Sequence, residues 1–143
     1  MKTSLLLLGI LLITFQGISQ KVKIKDDIAS VNGEEYMKWE KGPMGMEASI
    51  MALGSESDEI FISYQDYIDR NKISKSNPEG KVRWIELNFL TLGLKCEVAS
   101  RTHKGLAKLI YQNEIYLDGA LNRENAQNLV TKYGMKFTII INN

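Results

Sequence analysis

The 143-residue chain holds one cysteine, one histidine and two prolines. A lone cysteine has no partner for an internal disulfide, so stability must come from a hydrophobic core. One histidine and one cysteine cannot supply the three or four nitrogen and sulfur ligands of a zinc site. The same histidine would also have to serve any catalytic triad, and no G-x-S-x-G elbow accompanies it. The glycines form neither a phosphate loop nor a dinucleotide fingerprint. We therefore expect no metal and no cofactor.

Charge of one sign is also missing. Once Lys2 is removed with the leader described next, the 18 basic side chains fall to 17 and face 17 acidic ones. Such a balance gives no electrostatic footprint for nucleic acid or for an anionic membrane. Long apolar runs are confined to the start. Leu5 to Ile13 is unbroken, Thr14 and Phe15 extend it, and the small residues Gly17 and Ser19 follow. This reads as a cleaved signal peptide over residues 1–19, roughly half the length of a membrane span. Residues 20–143 then form a single secreted domain, periplasmic or extracellular, with no transmembrane anchor after cleavage. The sole cysteine is Cys96, far from the leader, so no lipid attachment is expected.

The first two-thirds of the remaining chain has the period of strands. Val22 and Ile24 alternate with lysines. Asn32-Gly33 then stands between two strand-like runs, a strong hairpin signal because both turn residues tolerate positive φ. A two-residue turn there sets Ala29 against Tyr36, Ile28 against Met37 and Asp27 against Lys38. Residues 41–45 read as a loop, residues 46–53 and 58–64 as strands joined by GSES, and residues 71–81 as the longest loop. In the run VRWIELNFL, Ile85, Leu87 and Phe89 share one face, and LKCEV adds another strand.

Helical spacing follows. Leu106, Leu109 and Ile110 predict a short helix over residues 102–112, in which Gly105 would mark close packing against the sheet. Ala126, Leu129, Val130 and Tyr133 predict a second, with Asn122 as N-cap and Gly134 as stop. MKFTIII is β-branched and apolar, and reads as a closing strand. The fold class is therefore α+β, a largely antiparallel sheet of about six to seven strands with two C-terminal helices packed on it.

Cys96 and His103 lie seven positions apart. Strand parity turns Cys96 towards the core with Leu94 and Val98, whereas a Cys-His dyad needs an exposed thiolate and an oriented imidazole. Met44, Met46 and Met51 surround a glycine-containing loop. Thioethers select Cu(I), but core packing and adaptable surface contact explain these residues better. Glu56, Asp58 and Glu59 crowd one turn without calcium-loop spacing. Tyr64 and Tyr67 flank Asp66, and we expect Asp66 or Asp69 to pair with Arg70. Trp84 has the parity opposite to Ile85, so it is either covered by a helix or exposed beside Arg83 and Glu86.

These residues give one candidate surface for a ligand or partner: Met44, Met46, Tyr64, Tyr67, Arg83 and Trp84. The leading expectation is a non-enzymatic exported domain that binds an envelope or extracellular protein or a small ligand. One alternative is a small exported hydrolase using Cys96 or a carboxylate. Another is an assembly component that pairs through an edge strand formed by KFTIII.

Overall fold

A computed structural model describes residues 19–141, with side chains up to residue 138. The predicted leader lies outside the described residues except for Ser19. Seven strands succeed one another in the chain and in space: β1 (Val22–Lys25), β2 (Ile28–Val31), β3 (Glu34–Lys41), β4 (Glu47–Met51), β5 (Ile60–Ile68), β6 (Lys81–Phe89) and β7 (Leu94–Ala99). Each runs antiparallel to the next. Helix α1 (His103–Gln112), a small hairpin of β8 (Tyr116–Leu117) and β9 (Ala120–Leu121), α2 (Arg123–Tyr133) and α3 (Lys136–Ile141) complete an α+β fold.

Local chemistry sets the tight turns. Asn32 and Gly33 both have positive φ, as the hairpin signal requires, and so do Asp26 and Asp27, which join β1 to β2. The β2–β3 register departs from the expected one. Val31 faces Glu34 and Ser30 faces Glu35, but a bulge then sets Ala29 against Met37 and Ile28 against Lys38. The extra residue is Tyr36. A bulge re-aims its side chain, and the Tyr36 hydroxyl donates to the Tyr116 carbonyl (2.6 Å) and accepts from the Tyr116 N–H (3.0 Å).

One face of the sheet carries Trp39, Ile50, Ile60, Ile62, Ile85, Leu87 and Val98 into a core closed by Leu106 and Ile110 of α1 and Leu129 of α2. Thr102 caps α1 by accepting from the Gly105 N–H, and Asn122 caps α2 by accepting from the Asn125 N–H. Gly105 does not mark close packing on the sheet. A Cβ there would meet only Arg101 and Thr102.

The segment read as a closing strand is helix α3. Gly134 ends α2 at positive φ, and its carbonyl accepts the Glu97 N–H (2.8 Å) on the free edge of β7. The chain then passes to the reverse face. There Phe137 stacks on Trp84 (5.7 Å, 8° between rings), and Glu97 accepts from the N–H groups of Phe137 and Thr138 and from the Thr138 hydroxyl. Three donors converging on one carboxylate outweigh the β propensity of the segment. Both outer edges of the sheet are thus guarded, β7 by this wrap and β1 by exposed Lys23 and Lys25. Among the described residues, no helix is long and apolar enough to cross a membrane.

Candidate functional site

Strands β5 and β6 pair along nine residues each, but their outer neighbours are shorter. β4 reaches only Ile60 to Ser63 of β5, and β7 only Trp84 to Phe89 of β6. A two-stranded ribbon therefore projects beyond the core. Gly80 closes the loop at its far end. It sits at positive φ, where a Cβ would collide with the Asp69 carbonyl, and its own carbonyl accepts the Asp69 N–H (2.8 Å).

On the projecting ribbon the core face continues past Tyr64, which meets His103 at the start of α1. Tyr64, Asp66, Lys81 and Arg83, with Met46 and Ser100, line a groove of about 450 Å³. Hollows at Pro43 and Met44 on one side and at Asn77 to Glu79 on the other share Met46, Lys81 and Arg83 with it. Lys81 pairs with Asp66 at 2.7 Å. The expected Asp66 or Asp69 pairing with Arg70 does not form, because the strand register makes Lys81 the diagonal neighbour of Asp66. Asp69 instead caps the 3-10 turn Arg70–Lys72 through the Asn71 N–H. Arg83 is exposed, and among the described residues no carboxylate lies within 4 Å of it.

The methionine loop at the head of the groove is tied down at several points. Gly42 donates to the Glu47 carbonyl, Gly45 to the Gly42 carbonyl and Tyr64 to the Met46 carbonyl (2.8 Å). Met44 is left 88% exposed and Met46 49%.

His103 supplies the last tie. The indole N–H of Trp39 donates to His103 Nδ1 (3.1 Å) and can do nothing else. Nδ1 is therefore an acceptor, the proton sits on Nε2, and Nε2–H donates to the Gly45 carbonyl (2.9 Å). The ring also meets Trp39 edge-on and lies tilted against Tyr64 at 5.3 Å. Tyr64 donates its hydroxyl to the Arg101 carbonyl, and burial pushes its phenol up.

Both imidazole nitrogens are thus engaged in structure. Cys96 is fully buried, and burial, with the Glu97 charge adding to it, pushes its thiol up to about 12. Nearly all of it stays protonated at neutral pH. The structure does not join thiol and imidazole.

The other candidate chemistry is used structurally or dispersed. Met51 is buried, away from the exposed Met44 and Met46. Asp58 accepts from Ser49 Oγ, and Glu59 from the Ala52 N–H. Among the described residues, no three His, Cys, Asp or Glu side chains are grouped so as to hold a metal ion. A separate hollow, of about 430 Å³ beside Tyr36, Tyr111 and Tyr116, has its Tyr36 hydroxyl committed to the Tyr116 backbone.

Of the six residues proposed from the sequence, Met44, Met46, Tyr64 and Arg83 come together here. The other two do not. Trp84 is 6% exposed on the reverse face beneath Phe137, and Tyr67 packs against it edge-on at 5.7 Å. Trp84 is therefore covered, and an exposed tryptophan beside Arg83 is ruled out. Lys81 and Ser100 were not anticipated, since their place depends on where β7 stops. No protein-family model, curated protein or solved structure matches the chain.

Proposed function

We propose that this chain is an exported binding domain, and that the groove from Met44 to Arg83 is its contact surface for an envelope or extracellular partner. The observation that carries this reading is the uncovered end of the β5–β6 ribbon, where thioethers, a tyrosine face and an uncommitted guanidinium adjoin. Apolar anchors around an arginine suit partner recognition. The neutral, doubly engaged His103 and the buried Cys96 favour binding over hydrolysis. Export rests on the leader-like composition of residues 1–19.

The test is quantitative capture from envelope extract by the wild-type chain and by Arg83→Glu and Met46→Asp variants. Both positions are exposed, so folding should change by no more than about 0.5 kcal/mol. At least one captured protein should fall about tenfold with both variants. Equal recovery of every protein by all three chains contradicts the proposal.

A further inference from the structure

We infer that the free edge of β5, residues 65–68, takes up an extended segment of a partner protein as an added strand, with the segment's alternate side chains lying in the groove. This rests on the groove being the contact surface, and it adds the mode of recognition and the chemistry of the partner.

The hydrogen-bonding parity of β5 is fixed at both ends. Leu90 N–H donates to the Glu59 carbonyl and Asp69 N–H to the Gly80 carbonyl, so odd-numbered positions of β5 bond to β6. Tyr64 N–H donates to the Met46 carbonyl, so even-numbered positions face β4. β4 pairing ends at Ser63. The N–H and C=O groups of Asp66 and Ile68 therefore point to a side where no described strand runs.

The neighbouring overhang is treated differently. At Lys81 the side-chain amide of Asn77 imitates a strand, accepting the Lys81 N–H (2.9 Å) and donating to the Lys81 carbonyl (3.1 Å). β1 and β7 are guarded as well. The β5 overhang, QDYI, carries no proline and no lysine, and its single charge is already held by Lys81. Ile68 is 69% exposed.

Charge selects the occupant. On an added strand, groove-facing side chains recur every second residue, about 7 Å apart. On a segment running antiparallel to β5, one would lie against the exposed Ile68 and call for an apolar side chain. The next lies level with Asp66 and its cross-strand partner Arg83. Asp66 is neutralised by Lys81, so the free charge is Arg83, two strand spacings or about 10 Å away. A glutamate and the extended arginine span that distance together. The partner segment is therefore apolar-x-Glu in extended form. A second copy of this chain fits poorly, because symmetric antiparallel pairing over residues 66–68 sets one copy's Asp66 against the other's Ile68, the reverse of the apolar and acidic places the groove offers.

The experiment selects phage-displayed random dodecapeptides on the full chain and measures the enriched peptides by fluorescence polarisation. Apolar-x-Glu peptides should be enriched. Their affinity should fall about tenfold with Ile68→Pro, which removes only an outward N–H and an exposed side chain. It should fall similarly when alternate peptide amides are N-methylated, a readout that leaves the protein unaltered. Enriched peptides that tolerate both changes but are lost with Arg83→Glu would retain the groove and overturn strand addition. Absence of enrichment, or a dimer that Ile68→Pro converts to monomer, would overturn the proposed partner.

Discussion

Replacement of Glu97 by alanine should release α3 from the reverse face of the sheet and lower stability by about 2–4 kcal/mol. Glu97 is the buried acceptor for Phe137 N–H, Thr138 N–H and the Thr138 hydroxyl, at 1% exposure. With the carboxylate gone these donors have no counterpart on β7, and water becomes their better partner. Phe137 then leaves Trp84 uncovered. Urea unfolding gives the stability change, and acrylamide quenching of tryptophan emission reports the uncovering, since Trp39 stays within the core. Glu97→Gln keeps one acceptor oxygen and should lose less. Unchanged quenching in Glu97→Ala would mean that α3 is held by other contacts.

His103→Ala should cost about 2–4 kcal/mol, from an unsatisfied Trp39 N–H in the core together with the lost ring contacts to Trp39 and Tyr64. The Gly45 carbonyl is released at the same time, so amide exchange at Gly45 and Met46 should accelerate while β5 and β6 remain protected. His103→Gln, with one acceptor and one donor, should recover part of the loss. A catalytic dyad predicts something else. In that case Cys96 would alkylate readily at neutral pH in the wild type and become inert without the imidazole. Here the thiol is to be unreactive in both folded proteins.

Much of this architecture is legible in the residues. Alternation at Ile85, Leu87 and Phe89, the Asn32-Gly33 turn, the cap at Asn122 and the stop at Gly134 are local signals, and each local preference agrees with the fold. The failures depend on distant partners. The bulge at Tyr36 answers to the Tyr116 backbone, 80 residues away. Residues 136–141 look like a strand by composition, yet their first N–H groups find Glu97 across the edge of β7. That same wrap decides Trp84, whose parity was readable but whose cover was not. Four of the six surface residues converge because β4 and β7 stop short of β5 and β6, and no side chain announces where a neighbouring strand ends.

Amide exchange across the β5 overhang, read residue by residue in the folded chain, tests the open edge most directly. Gln65 and Tyr67, which bond to β6, should exchange slowly, while Asp66 and Ile68 exchange close to the rate of free peptide. Protection at Asp66 and Ile68 equal to that of Gln65 and Tyr67 would show the edge already filled and would contradict the account.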